Sequence, residues 1–496
     1  MSKYIAIDLG AESGREILGE IKSDHIAISE IHRFFKPPLE VDNHLYWDAL
    51  HIFSEILEGF RKIDGNDAQM VKSVSVDAWA FDFGLLDKNH FLIGNPICYR
   101  DDRTRGITNE IYKRIDRLEI FRESSGIYSA DTNTSSHLLA MRRDSPELLD
   151  AAQSFLMIPD LMHYWLCGIM SNEYTNASTT QLLKSEERFW CQEIIKKLEI
   201  PEKIFLDVNL PGTKLGKIKQ NIIQDTNLVN AEVVLCASHD TASAVMAVPA
   251  LEDEFIWLSS GTWSLLGINS DKPVLSESAL DYVIGNFGNG EGKFIPLKPI
   301  MGLWLVQGCR KAWQRDGKSL SYDAITSMAK ESKPFLALFD TDDTSFLNPK
   351  DMVGAINQFL SKTSQKNPNS IGEYTRVILE SLAMKYRWTF EKIMELSGKT
   401  YDRLYLVGGG AKNSLLNQFT ANALKIPVIA GPYEATALGN ISIQAISSGE
   451  FANIQEARKL IRNSPEVTVI DPEPDQFQIW DDMYAKYLDL IESKKL

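Results

Sequence analysis

The sequence predicts an α/β protein made of two similar domains, and three observations carry that expectation. Apolar strand-like runs alternate with amphipathic helical runs along most of the chain, the pattern of α/β domains with mainly parallel sheets. A strand-turn-strand unit occurs twice, at residues 4–21 and 255–268, about 250 residues apart. The 496 residues are also more than one hydrophobic core ordinarily supports.

The elements follow in order. YIAIDLGAESGREILGEI (4–21) reads as an apolar strand, a turn of Asp, Gly and Ser, and a second strand. HIFSEILEGFRKI (51–63) has the apolar period of an amphipathic helix. Strand-like runs follow at 71–87 and 229–240. FLMIPDLMHYWLCGIM (155–170) is interrupted by Pro159, Asp160 and His163, so it predicts a buried helix rather than a membrane span. FIWLSSGTWSLLGI (255–268) is the second hairpin. Beyond it come a long helix (371–396), a strand (403–409), a helix (414–424) and a strand (427–431). Two unrelated hairpins would give the same local signal, and the alternating context is what favours a repeat. The expected division is residues 1–245 and 246–496.

Composition excludes several classes of function. Acidic residues outnumber basic ones by 67 to 52, a net charge of −15, and no Lys/Arg-rich run appears, which argues against a nucleic-acid partner. Small anions remain possible, because backbone amides can hold them. Cys98, Cys167, Cys191, Cys236 and Cys309 are scattered with no C-x-x-C pair, as for reduced thiols in a cytosol. The N-terminus runs straight into a strand without an apolar signal core. The expectation is a cytoplasmic protein with no membrane partner, a monomer or weak homodimer.

Several motifs can carry chemistry. Asp8 ends an apolar strand ahead of Gly10, Ser13 and Gly14, where a carboxylate can hold Mg²⁺ while turn amides face a phosphate. It can equally cap the turn. Gly261 and Thr262 occupy the matching turn of the second hairpin. LVGGGAKNSLLNQF (406–419) sets Gly408, Gly409 and Gly410 between a strand and a helix, more glycine than a turn needs, which favours a nucleotide contact. Gly317-Lys318-Ser319 and Gly398-Lys399-Thr400 mimic the end of a P-loop, but Ala312 and Ile393 stand where its first glycine belongs. CASHDTASAV (236–245) closes an apolar strand with His239, Asp240 and Thr241. Asp240 suits the base that phosphoryl transfer needs, or else simply caps a helix. VDAWAFDF (76–83) brackets Trp79 with Asp77 and Asp82, the carboxylate and aromatic pairing that grips a sugar. YRDDRT (99–104) offers Arg100, Asp101 and Arg103 for the same work or for a solvated turn.

The ordered set IAIDLGAESGR, VDAWAFDF, YRDDRT, EYTNASTTQLL, ASHDTASAV, LSSGTWSLLG, IMGLWLVQ and VGGGAKNSLLNQ…AGPYEATALGNI resembles the FGGY carbohydrate kinases, from residue 4 to about 445. Within that family it is most similar to the L-rhamnulose kinases. The resemblance implies two actin-like (ribonuclease H-like) domains with a catalytic cleft between them, where ATP with Mg²⁺ meets a small ketose. It implies Asp240 as general base, with His239 and Thr241 beside the sugar, and Ala80 at a position that bears on sugar specificity; Asp77, Trp79 and Asp82 join them on the reading of VDAWAFDF itself. Ala11, Glu12, Ser13, Gly14 and Arg15 would line the triphosphate, and Gly261, Thr262, Gln307 and a glycine of the 408–410 run (Gly409, Gly410) the rest of the nucleotide. Three positions depart from the family: Glu12 replaces a frequent Ser, Ala80 a glycine, and Pro299 an asparagine whose side-chain contact is lost or replaced. The rival expectations are the same chemistry on L-fuculose or another ketose, a non-catalytic actin-like ATPase, and a sugar-sensing regulator. The Asp77/Asp82 pair and Asp240 favour the kinase over an ATPase, and no helix-turn-helix segment supports a regulator.

Overall fold

A computed structural model describes residues 2–492. The chain divides into two units. Unit 1 comprises residues 1–251, 269–296 and 434–464, and unit 2 comprises residues 252–268, 297–433 and 465–496.

Unit 1 begins with a meander: β1 (Lys3–Leu9), β2 (Ser13–Ile21) and β3 (Ile26–Phe35) are paired antiparallel in sequence. Every residue of β1 is buried, as expected of a strand covered on both faces, and this buries Asp8 with it. After helix α1 (Ala49–Arg61), β4 (Val71–Ala78) lies parallel to β1 on its other side. Helix α2 (Ile158–Cys167) packs on β4, and its His163 Nε2 accepts from the Val76 N–H at 2.8 Å. Strands β5 (Lys214–Lys217) and β6 (Glu232–Val234) complete the order β5-β6-β4-β1-β2-β3. Helix α3 (Asp240–Met246) follows β6.

Unit 2 repeats the scheme. β7 (Ile256–Ser260), β8 (Trp263–Ile268) and β9 (Phe294–Met301) form an antiparallel meander. β10 (Leu404–Val407) and β11 (Val428–Ala430) lie parallel beside β7, and β12 (Thr468–Ile470) closes the edge antiparallel. Helix α4 (Trp304–Arg315) follows β9, and the long α5 (Ile371–Ser397) starts at a Ser370 cap and stops at Gly398, whose φ of 66° ends it. Asn413 caps α6 (Ser414–Leu424), its side chain accepting from Leu416 N–H at 3.1 Å. The chain then returns to unit 1 with helix α7 (Ala435–Ser447).

The sheets are therefore mixed rather than mainly parallel, because each hairpin adds antiparallel neighbours to a parallel core. The run 155–170 also differs from expectation. Its start is a short strand, Ser154–Met157, and Pro159 sits in the first turn of α2, where no amide is needed. Among the described residues no helix is long and apolar enough to cross a membrane. All five cysteines are free.

Helix α7 lies on β1 and α3 at very short range. Gln444 receives Ser73 Oγ at 2.7 Å and donates to the Ile5 carbonyl at 2.9 Å. Gly439 permits this approach: a Cβ there would stand 1.8 Å from the Ser243 carbonyl oxygen, a backbone atom that cannot step aside. Gly439→Ala is expected to cost about 1–3 kcal/mol and to lower the thermal midpoint by several degrees. Gly65→Ala, where a Cβ meets nothing within 4 Å among the described residues, is expected to leave the midpoint unchanged. Equal melting of both variants by differential scanning calorimetry would contradict this account of the α7 contact.

Candidate active site

Unit 1 gathers its charged residues where the strands end. The register sets Asp8 opposite Arg15 on β2 and opposite Asp77 on β4. Ala78 then bridges to His239, its N–H donating to the Ser238 carbonyl at 2.8 Å, so the chain arrives at Asp240 beside the same two strand ends. Asp8 is ion-paired to Arg15 Nη2, and Arg15 Nη1 reaches Glu434 Oε2 at 2.5 Å. Burial opposes the Arg15 charge, but Asp8 and Glu434 outweigh it and raise its pKa. The first hairpin is closed by the Gly10 N–H donating to the Ser13 carbonyl at 3.0 Å, leaving Ala11 and Glu12 at its tip and Gly14 in β2.

Asp77 is fully buried. Its Oδ2 accepts from Asn440 Nδ2 at 2.6 Å, and its Oδ1 has no hydrogen-bond partner among the described residues. Burial raises its pKa well above the usual carboxylate range, with the charges of Asp8 and Asp240 adding to the rise. Asp240 is pushed up to about 7, first by burial and then by Asp8, against hydrogen bonds from Thr241 and the charge of Lys36. The Thr241 N–H donates to Asp240 Oδ1 at 2.6 Å, and Thr241 Oγ1 to the same atom at 3.2 Å. The residue capping α3 is His239, and Asp240 is the first helical residue. Its carboxylate satisfies no amide of the turn beyond Thr241, so capping does not account for it. His239 lies 3.5 Å from Asp240, but burial lowers its pKa to about 4 and leaves it neutral near pH 7.

The turn that carries Asp240 is held from behind by Glu173, a residue to which the sequence assigned no role. Glu173 Oε2 accepts from Ser238 N–H at 3.1 Å and Ser238 Oγ at 2.5 Å, and Thr175 Oγ1 accepts from the His239 N–H at 3.1 Å. Its segment, EYTNASTTQLL, was visible as a motif, but its role depends on a contact 65 residues along the chain.

In the VDAWAFDF segment, Asp82 Oδ2 accepts from both Trp47 Nε1 (2.5 Å) and Trp79 Nε1 (2.7 Å). This fixes two indoles 4.4 Å apart, and Ala80 is buried beside them. Burial raises Asp82 to about 7 against those two hydrogen bonds. Lys36, which no motif singled out, stands over both rings, 3.7 Å from the Trp79 centroid and 4.5 Å from that of Trp47. YRDDRT resolves into a turn: Asp101 accepts from the Leu45 and Arg103 amides, and Arg103 meets His137.

In unit 2 the Gly261–Thr262 turn is tied to the start of α4 by Leu303 N–H to the Gly261 carbonyl (2.9 Å) and Trp304 N–H to the Thr262 carbonyl (3.0 Å). That places Gln307 and Thr262 within 3.3 Å of each other through their side chains. The glycines after β10 differ in what requires them. Gly408 has φ 86°, and a Cβ on Gly410 would strike Ser260 Oγ at 2.1 Å. Gly409 has open space where a Cβ would stand, so neither packing nor backbone explains it. Pro299 lies within β9 opposite Leu265. The two P-loop look-alikes are turns at helix C-termini.

Comparison with known proteins agrees with this arrangement. Residues 3–247 match the N-terminal domain of the FGGY family of carbohydrate kinases, and residues 257–448 match its C-terminal domain. A rhamnulokinase of Bacteroides thetaiotaomicron is 38% identical over 488 residues, covering 98% of this chain and 99% of its own length. One of Oceanobacillus iheyensis is 36% identical over 460 residues, 93% of this chain and 96% of its own. Among solved structures, a ligand-bound xylulose kinase of Lactobacillus acidophilus has a TM-score of 0.81 at 17% identity, over 99% of this chain and 98% of its own. A glycerol kinase of Plasmodium falciparum with ADP has a TM-score of 0.77 at 15% identity, again over 99% and 98%. The repeated meander-and-parallel sheet, the carboxylates at its strand ends and these near full-length matches lead to one conclusion: the chain belongs to the FGGY family of carbohydrate kinases.

Proposed function

We propose that the protein transfers the γ-phosphoryl group of ATP to O1 of L-rhamnulose, giving L-rhamnulose 1-phosphate and ADP. The observation that carries this reading is Asp240, a carboxylate with Oδ1 held by Thr241 and no other hydrogen bond among the described residues. The relatives named rhamnulokinase supply the substrate. Their chemistry needs a base for a hydroxyl proton and in-line positioning, and little covalent work from the protein. In this reading Asp240 takes the proton of the O1 hydroxyl as the bond to phosphorus forms. Asp77, Trp79, Ala80, Asp82, His239 and Thr241 surround the sugar, with neutral His239 able to donate or accept. Ala11, Glu12, Ser13, Gly14 and Arg15 face the phosphates, and Gly261, Thr262, Gln307, Gly409 and Gly410 the rest of the nucleotide.

The residues also suit a magnesium ion brought in with the nucleotide. Among the described residues Asp8, Asp77 and Asp240 do not form a tight three-ligand cluster, so they make no dedicated cage. Mg²⁺ ordinarily takes one or two carboxylates plus water and phosphate oxygens, and Asp8, at the strand end, can supply one of them. The ion would neutralise charge on the transferring phosphate. We further propose a cytosolic setting, consistent with five free cysteines, and a monomer or weak homodimer that binds neither nucleic acid nor membrane.

Coupled ADP release over a panel of ketoses tests the reading, with L-rhamnulose expected to give the highest kcat/KM. Asp240→Asn keeps the size and loses the base, so kcat on the best ketose should fall roughly a hundred- to ten-thousand-fold while ketose KM moves little. Near wild-type turnover by a folded Asp240→Asn enzyme would remove Asp240 from the mechanism.

The environment of Asp240 also sets a pH dependence. Its pKa is raised to about 7, and only the deprotonated form accepts a proton, so kcat/KM should climb as pH rises through about 7. An ordinary aspartate would place that limb near about 4. A kcat/KM profile that is flat down to about pH 5 would contradict the raised value.

Removal of metal is a separate test. EDTA should abolish turnover and excess Mg²⁺ restore it, and Asp8→Asn should lower kcat far more than it weakens ketose binding by calorimetry. Full activity of Asp8→Asn at ordinary Mg²⁺ would take Asp8 out of the phosphate site.

A further inference from the structure

Lys36 has no part in the scheme so far, yet it is placed as a ligand group would be. It follows β3, its N–H donates to the Glu12 carbonyl at 3.0 Å, and Pro37 and Pro38 prevent the strand from continuing. The side chain turns inward and the residue is 3% exposed. Its Nζ lies over the faces of Trp47 and Trp79 and meets no hydrogen-bond acceptor among the described residues. An ammonium carries three donors and no acceptor, and burying it with all three unmatched is costly. Two indole faces offset part of that cost but supply no lone pair. Asp82 cannot serve through Oδ2, which the two indole N–H groups already hold. The other Asp82 oxygen, Oδ1, is itself buried without a hydrogen-bond partner among the described residues. A donor and an acceptor thus stand unmatched around one pair of fixed aromatic rings.

We propose that the Lys36 ammonium is a sugar-binding group, donating to an oxygen of the bound ketose whose hydroxyl hydrogen in turn reaches Asp82 Oδ1. The inference rests on the reading that a ketose binds in unit 1 beside Asp240. A neutral polyol fits the charges better than a phosphate does. Asp8, Asp82 and Asp240 all act electrostatically on Lys36, so an added anion would meet repulsion that a hydroxyl does not. Burial draws Lys36 down to about 7 while Asp82, Cys98, Asp8 and Asp240 pull it back up, which leaves the amine able to carry its proton at neutral pH. Stacking over Trp79 fixes the direction of its donors, so the contact selects the position of the sugar oxygen as well as holding it.

The test uses the full-length enzyme, the best ketose of the panel, and deoxy analogues of that ketose lacking one hydroxyl each. Lys36→Met keeps the stem and removes the donors. It should raise ketose KM about ten- to a hundredfold, leave ATP KM within about twofold, and reduce ketose-induced change in tryptophan fluorescence. For wild type, one deoxy analogue should lose affinity that the Lys36→Met enzyme has already lost, so the two losses should not add. Lys36→Gln, which retains a neutral donor, should recover part of the ketose affinity and stands in if Lys36→Met does not fold. Unchanged ketose KM, or a rise in ATP KM instead, overturns the proposal. So does a loss of thermal stability in both variants with every analogue penalised as in wild type, which would make Lys36 a structural cation satisfied by buried water. If wild type turns over no ketose, the functional reading itself fails. If it does and Lys36→Met behaves as wild type, only this inference fails.

Discussion

Mutual repulsion of carboxylates at one end of a buried sheet is the constraint around which unit 1 is organised. Asp8 and Asp77 are neighbours by register, and Asp240 follows the segment that bridges to Ala78. Desolvation works against each charge, and each charge works against the others, which is why Asp77 and Asp240 are raised. The chain answers with four counter-groups carried on four elements. Arg15 comes from β2, Asn440 from α7, Thr241 from α3, and Lys36 from the end of β3. Leaving a buried charge without its partner costs about 3–5 kcal/mol, so these elements are not free to drift. Close seating of α7 on Gly439 follows from this, because Asn440 reaches Asp77 only if the helix backbone comes down onto α3.

The same grouping bears on the role proposed for Asp240. A base is useful near neutral pH when its proton affinity lies near that pH, and ordinary aspartate is too weak. Here the shift comes mainly from burial, with Asp8 adding to it, and Thr241 and Lys36 keep it from going further. Arg15 acts differently. Bound to both Asp8 and Glu434, it holds the first hairpin to the residue that precedes α7 and keeps further N–H donors for an anion. Glu173 fixes the backbone of the Asp240 turn through Ser238 and Thr175 without touching Asp240.

Local chemistry was legible in the sequence, and long-range pairing was not. Both hairpins and the strand–glycine–helix unit at 404–424 are written in periodicity and turn residues, and they fold as written. The mixed sheet was missed because alternation of strands and helices says nothing about which hairpin arm stays in the sheet. Asp77 and Asp82 were visible as a pair around an aromatic, but their partners were not. Asn440 is 363 residues from Asp77, and nothing in ALGNISIQAISSG announces that contact. Lys36 was silent for a similar reason: a lysine between Phe35 and two prolines reads as a strand end, and only the arrival of Trp47 and Trp79 turns it into a buried cation. Glu12 and Arg100 illustrate the converse, since charge in a motif need not be buried: Glu12 remains at an exposed turn.

Comparing the two sheets separates what the frame needs from what the chemistry needs. In unit 1 the residue before the last hairpin pair is Asp8, with Arg15 across one ladder and Asp77 across the other. The matching residue in unit 2 is Ser259, with Leu265 across one ladder and Val407 across the other. The same meander with parallel neighbours therefore forms with no ion pair and no buried carboxylate at those three positions. Charge there is not required to build the sheet. Unit 1 carries a buried carboxylate pair, Asp8 and Asp77, that its topology does not ask for, and apolar residues of similar volume there would be the more stable choice by the usual balance of desolvation against pairing. Groups kept against the interest of stability are the ones to read as functional. The hairpin turns differ in the same sense. Four residues separate Leu9 from Gly14 and three separate Ser260 from Ser264, so the first turn holds one more residue. Unit 2 has the opposite bias, with glycine where unit 1 has charge. Gly409 is unexplained by packing or backbone, just as Asp240 is unexplained by helix capping. Each is a departure from what its own unit needs in order to fold, and that shared property, rather than resemblance between motifs, is what supports the roles proposed for them.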